Sequence, residues 1–147
     1  MSWSTITTAA FLAKGFNATE RTQLQSAAGG DDGLSDLLTG AIAEWRGILE
    51  AAGYPIDEDD TTTVPPSCHR HIIAQVRWEL LIKFPSLRNL QTDERKDAAR
   101  DAKEKLKSIE DRTAAIEPPE SPAGDVTPGP NFGTRDRNFT RDDQEGL

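Results

Sequence analysis

The sequence predicts an all-α fold, a small bundle of about four to five helices with an extended C-terminal tail. Long segments carry apolar side chains at helical spacing, Gly and Pro residues separate them, and the composition becomes rich in Pro and Gly after Ile116. A body of roughly 115 residues can bury a little over 60% of its unfolded surface, which suffices for one core. We therefore expect one helical domain at residues 1–116 and a tail at 117–147.

The first two helices are predicted to be short. One covers about residues 5–13, carries Ile6 on its apolar stripe and ends at Gly15. Asn17 is the expected N-cap of the second, at residues 18–28, because Glu20 then occupies the third helical position of a capping box.

The third helix, residues 34–52, has the clearest pattern. Its apolar residues repeat at intervals of three and four: Leu34, Leu37, Leu38, Ala41, Ile42, Trp45, Ile48, Leu49 and Ala52. Gly53 supplies a left-handed C-terminal cap, and Pro55 prevents the helix from resuming.

The fourth helix follows a polar, acidic loop at residues 56–63. It is predicted to begin near Pro65 or Pro66, since proline suits the first turn of a helix, and to end at Pro85. Its apolar surface is broad, with Trp78 and Ile82 widening it. This breadth favours a central helix with neighbours on more than one side.

The last helix is predicted from the N-cap Thr92 to about Ala115. Its apolar stripe is thin: Ala98, Ala102, Leu106, Ile109, Thr113 and Ile116. Charges of both signs occupy the other positions and indicate a solvated face. Such a helix covers the bundle from one side or faces another copy.

The charge balance limits the classes of partner. The chain has 25 acidic and 17 basic side chains and a net charge of −8, which argues against a phosphate-binding surface spread over the whole protein. The single cysteine, Cys68, excludes an intramolecular disulfide and fits a reducing compartment. Without a signal pattern or an apolar run of about 20 residues, we expect a soluble, cytoplasmically made protein and no membrane partner.

Residues with possible site chemistry are sparse. Cys68-His69-Arg70-His71 contains every Cys and His of the chain, whereas a structural zinc site needs about four ligands in paired clusters. The acidic run at residues 57–60 lacks the glycine and terminal Glu of a calcium loop. We predict no metal site, no cofactor and no catalytic residues, hence no enzyme, with Cys68 as a small core residue.

Three larger side chains carry separate expectations. Trp45 and Trp78 are predicted core residues, whereas Trp3, near one end, is expected at an interface. Arg77 interrupts an apolar helix, so it is either buried with a partner or reaches the surface along its aliphatic stem.

The tail carries its own pattern. Phe132 and Phe139 bracket Arg135 and Arg137, and aromatic and arginine residues anchor peptides at interfaces. Fully extended, the segment spans up to about 100 Å, enough to reach a neighbouring subunit. We predict that these residues bind a partner.

The order of these elements resembles the head–tail connector, or adaptor, proteins of long-tailed bacteriophages, including the Mu-like group. The resemblance is carried by the apolar helix, Gly53-Tyr54-Pro55, Val64-Pro65-Pro66 and the following helix with Arg77. It covers roughly residues 5–116.

The resemblance implies a structural virion protein that forms a homo-oligomeric ring of about twelve copies with head-to-tail contacts. The ring would lie in the neck between capsid and tail, below the portal protein, and bind a stopper or tail-completion protein. DNA would pass through it without sequence-specific binding. The four tail residues above would then contact the portal or a neighbouring subunit, and assembly would occur in the host cytoplasm.

A second class is a small helical DNA-binding or terminase-associated packaging subunit. Lys96, Arg100, Lys103, Lys105 and Lys107 make the last helix locally basic. Interleaved Asp and Glu residues nearly cancel that charge. This favours a solvent-exposed face with ion pairs between residues i and i+4 over a DNA-binding surface.

Overall fold

The computed structural model describes residues 2–29 and 33–119. Within these residues it has five α-helices and one 3₁₀ helix: α1 (Thr8–Gly15), α2 (Ala18–Ala28), α3 (Leu34–Ala51), α4 (Pro66–Lys83), the 3₁₀ helix (Pro85–Leu90) and α5 (Asp93–Glu110). The strand-like pairing in this part of the chain is an isolated antiparallel bridge between Ser4 and Val64. The predicted all-α class is confirmed.

Helix α4 lies at the centre of the bundle. It contacts α1, α3, α5 and the 3₁₀ helix. Its buried residues are Cys68, Ile72, Ile73, Ala74, Val76, Leu80 and Leu81. The expectation of a central helix is confirmed, although Ile82 is exposed, and Trp78 is only half-buried.

Helix α1 begins at Thr8, three residues later than predicted. The preceding residues are extended because Ser4 and Val64 exchange backbone hydrogen bonds of 3.2 and 3.0 Å. The Thr7 hydroxyl then caps the helix by accepting from the Ala10 N–H at 3.1 Å. This extended path buries Trp3, whose indole N–H donates to the Glu117 carbonyl at 2.8 Å. The expectation of Trp3 as an interface residue is wrong.

Helix α2 has the predicted capping box. The Asn17 side chain accepts from the Glu20 N–H at 2.8 Å, and the Glu20 carboxylate accepts from the Asn17 N–H at 3.0 Å. Gly29 ends the helix with φ 67°. Both ends of α2 therefore follow from local residue chemistry.

Helix α5 ends at Glu110, about five residues before the predicted end. Arg112 adopts φ 62°, and this left-handed residue turns the chain away from the helix axis. Ile116 consequently packs against the core from a returning segment, not from a helical stripe. Between α4 and α5, the 3₁₀ helix was not predicted, and it buries Leu87 and Leu90.

Candidate interaction site

The connection between α3 and α4, taken with the first residue of α4 as residues 53–66 and here called the corner loop, contains the Gly53-Tyr54-Pro55 and Val64-Pro65-Pro66 elements of the resemblance. Gly53 has φ 91°, a left-handed backbone that glycine adopts without strain. The Tyr54 N–H donates to the Leu49 carbonyl at 3.0 Å, and the Tyr54 hydroxyl donates to the Ala114 carbonyl at 2.8 Å. The start of the corner loop is thus tied to both α3 and the segment after α5.

The end of the corner loop is buried. Val64 is fully buried and pairs with Ser4, and the buried Pro65 is the extended N-cap residue of α4. Pro66 occupies the first helical position, where its missing N–H leaves no donor unpaired. These residues hold the N-terminal segment against the start of the central helix.

Arg46 on α3 fastens the middle of the corner loop, a role that the sequence reading missed. One guanidinium nitrogen donates to the Thr63 carbonyl at 2.7 Å and to its hydroxyl at 3.3 Å, and the other donates to the Asp57 carbonyl. The guanidinium also lies 5.8 Å from the Trp3 ring centroid. Arg46 follows Ile42 by four residues and therefore lies on the same, apolar face of α3. This spacing indicates a buried position.

Residues 57–60, here called the acidic loop, project from the corner loop. Glu58, Asp59 and Asp60 are exposed. The Asp57 carboxylate accepts from the N–H groups of Asp59 and Asp60 at 3.0 and 3.4 Å. Hydrogen bonds from the Thr62 hydroxyl and N–H lower the pKa of Asp60. The loop is therefore a locally ordered acidic surface.

A groove of about 800 Å³ runs along α4 between α1 and α5. Its titratable lining residues are Lys14, His69, Arg70, His71, Arg77, Lys105 and a single acid, Asp101. We call it the basic groove. Four Lys and Arg side chains converge here in a chain that is strongly acidic overall. The periodicity of a single helix does not reveal this cluster, because three helices contribute to it.

Arg77 was expected either to be buried with a partner or to reach the surface. It is half-buried. One guanidinium nitrogen donates to the Gly15 carbonyl at a long 3.4 Å, and Nε is buried without a hydrogen-bond partner. Burial, followed by the nearby Arg95, lowers the pKa of Arg77. It is a cation with unused hydrogen-bonding capacity.

The Cys and His residues at the start of α4 serve packing and local hydrogen bonds. Cys68 is fully buried, which confirms its prediction as a core residue, and burial raises the pKa of its thiol to about 11. His69 Nε2 lies 3.2 and 3.3 Å from the carbonyls of Ser4 and Val64. The His71 ring stacks on Trp45 with 6.3 Å between centroids. In residues 2–29 and 33–119, no group of three or more His, Cys, Asp or Glu side chains is placed to hold a metal ion.

The predicted tail-binding residues Phe132, Arg135, Arg137 and Phe139 lie outside the described residues. Glu117, just beyond the predicted body, contacts the bundle: its carboxylate accepts from the Ser67 hydroxyl at 2.6 Å. Within the described part of the chain, no helix is both long and apolar enough to cross a membrane.

Comparisons of the chain with protein-family models, with curated proteins and with solved structures found no match. The site is therefore characterised by its own geometry. It offers two charged surfaces of opposite sign, the acidic loop and the basic groove, on a bundle whose corner loop is held by contacts to α3, to the N-terminal segment and to the segment after α5.

Proposed function

We propose that this chain is a head–tail adaptor of a long-tailed bacteriophage, a structural protein that forms a ring between the portal and the tail or stopper protein. The observation that carries the proposal is the corner loop. Its resemblance-bearing residues Gly53, Tyr54, Val64 and Pro66 lie at one connection and have definite structural roles there. A rigid helical corner of this kind suits an assembly subunit.

The charge of the chain supports the same role. A net charge of −8 would disfavour adhesion of duplex DNA to a channel wall, because like charges repel across the short distances of a narrow channel. DNA would then pass through the ring without sequence-specific contacts. The ring would add length to the channel below the portal.

The tail supplies the proposed portal contact. Phe132 and Phe139 would provide apolar anchors, and Arg135 and Arg137 would provide charged hydrogen bonds, after ordering on the partner. A neighbouring subunit is the other proposed docking surface for the same residues.

Electron microscopy of the full chain mixed with the portal protein encoded beside it tests the proposal. We expect rings attached to one end of the portal. A chain that ends at Pro119 is the matched variant, because it keeps the contacts of Glu117 with Trp3 and Ser67 and removes the tail residues proposed to contact the portal or a neighbouring subunit. Full-length protein that never attaches to any portal or tail-completion neighbour would overturn the adaptor function.

The basic groove favours a second candidate function, a DNA-binding or terminase-associated packaging subunit. Arg70, Arg77 and Lys105 present cations on one surface, as phosphate contacts require. A steep loss of DNA affinity with increasing salt would support this candidate, and absence of binding at low salt would remove it.

A further inference from the structure

We infer that the acidic loop of one copy docks in the basic groove of the next copy, and that this contact builds the ring. The inference rests on the proposed function in one respect, since a ring-forming subunit makes a second copy of this chain the natural occupant of the groove. The surfaces themselves come from the structure. The acidic loop comprises residues 57–60, and the cations of the basic groove are Lys14, Arg70, Arg77 and Lys105.

Within the described part of the chain, the groove cations form no direct ion pair with a carboxylate. The ion pairs between described residues involve Arg95, Arg100 and Lys107, and none of these is a groove cation. The Arg77 Nε hydrogen is also unpaired although the atom is buried. Lys14 and Arg70 are exposed and the Arg77 and Lys105 side chains are partly exposed, so the groove has capacity for carboxylates from outside the molecule.

The acidic loop is the matching surface. Glu58 and Asp59 are exposed and form no ion pair with a described residue. The loop backbone is already ordered by Asp57, which accepts from two N–H groups, and by Arg46, which holds the Thr63 carbonyl. Docking a pre-ordered loop costs little conformational entropy, so more of the electrostatic attraction contributes to affinity.

The two surfaces dictate the symmetry of the assembly. None of the acidic-loop residues lines the basic groove, so each copy offers one loop to one neighbour and one groove to another. Such a heterologous contact generates a closed ring or an open filament, not a two-fold dimer. Opposite charge also fixes the direction, because loop facing loop or groove facing groove is repulsive.

Charge reversal of each surface tests the contact in solution by sedimentation velocity. The loop variant is Glu58→Lys with Asp59→Lys, and the groove variant is Lys14→Glu with Arg70→Glu; all four side chains are exposed. We expect each variant alone to lose assembly and remain monomeric. An equimolar mixture should regain assembly, because the intact loop of one variant pairs with the intact groove of the other, and the reversed loop and reversed groove again carry opposite changes in charge.

Three controls make the result specific. Asp36→Lys with Glu110→Lys changes the net charge as the loop variant does, at exposed positions outside both surfaces, and should assemble like the unchanged chain. Circular dichroism should show unchanged helix content in every variant. Assembly of the unchanged chain should weaken in about 1 M salt, where the Debye length falls to about 3 Å.

Several outcomes would overturn the inference. These are an unchanged chain that stays monomeric at every concentration, single variants that still assemble alone, or a mixture of the two variants that stays monomeric. If removing residues 120–147 abolishes assembly while the loop variant still assembles, then the tail, and not the acidic loop, forms the contact between copies. Rings that bind the portal despite both reversals would refute the loop contact alone, whereas salt-sensitive assembly through both surfaces without portal binding would refute the adaptor function alone.

Discussion

Arg95 and Glu20, 75 residues apart in sequence, form a fork across the bundle: one guanidinium nitrogen lies 2.8 Å from both carboxylate oxygens of Glu20. The same carboxylate belongs to the capping box of α2, and the Arg95 guanidinium also lies 5.5 Å from the Phe16 ring centroid. The two side chains are only 13% and 16% exposed. One ion pair therefore joins the start of α5 to the start of α2.

We expect Arg95→Ala to lower the free energy of unfolding by about 2–3 kcal/mol, because charged hydrogen bonds are lost and a mostly buried carboxylate keeps fewer partners. Urea unfolding followed by circular dichroism measures the change. Arg100→Ala is the matched control on the same helix. Its pair with Asp97 is more than half exposed, so it should cost less than about 1 kcal/mol; equal losses would contradict the assignment.

Arg46→Met is expected to loosen the acidic loop while α3 stays formed. The substitution leaves the carbonyls of Thr63 and Asp57 without their guanidinium donors, and should cost about 2–3 kcal/mol. Hydrogen exchange should accelerate in residues 57–64. Arg70→Met, which removes an exposed guanidinium, should leave exchange there unchanged. Similar protection in both variants would show that Arg46 does not order the loop.

Tyr54→Phe removes the hydroxyl that donates to the Ala114 carbonyl at 2.8 Å. We expect a loss of about 1 kcal/mol and faster proteolysis after α5, because the returning segment loses one of its ties to the bundle. Trp3→Phe removes the indole donor to Glu117 and should expose the same segment. If Tyr54→Phe leaves cleavage unchanged, the hydroxyl does not hold this segment.

Stability should fall as the pH drops below about 6.5, in part through His71. Burial, with the nearby Arg70 and Lys105, lowers the pKa of His71 below its usual 6.5. The unfolded chain then binds the proton more readily, so acidification through 6.5 and on through the lower folded pKa favours unfolding. Glu20, Asp60 and Glu117 have pKa values below their usual range as well, so they act only at more acidic pH.

Chemical denaturation at several pH values between 7 and about 5 checks this prediction. His71→Gln should flatten the dependence of the unfolding free energy on pH in that range. His69→Gln is the control, and its unfolding free energy should keep the pH dependence that is due to His71. An identical slope in the unchanged chain and in His71→Gln would refute the contribution of His71.

Cys68 is expected to be unreactive in the folded protein. Its thiol is fully buried, and its pKa of about 11 leaves roughly one thiolate per thousand at pH 8. Labelling with a chromogenic disulfide should therefore follow unfolding and become fast in urea. Rapid labelling without denaturant would place the thiol at the surface.

Elements with local determinants were predicted well. The limits of α2 follow from Asn17, Glu20 and Gly29, and the end of α3 follows from Gly53 and Pro55, because caps and backbone-restricting residues act over a few positions. The start of α1 was misplaced since its cause is distant: Ser4 pairs with Val64, 60 residues away. No spacing within residues 2–8 contains that information.

The candidate site divides along the same physical line. The residue pattern alone indicates the helices, the corner between α3 and α4, and the sign of the acidic loop, since turn chemistry, amphipathic periodicity and charge are local properties. The basic groove arises only when α1, α4 and α5 pack together and bring Lys14, Arg77 and Lys105 to one surface. Likewise, the sequence shows Arg46 only as one charged residue in a helix. The folded chain places the Thr63 carbonyl 2.7 Å from its guanidinium. Contacts between distant segments depend on helix packing, and packing is a property of the whole chain.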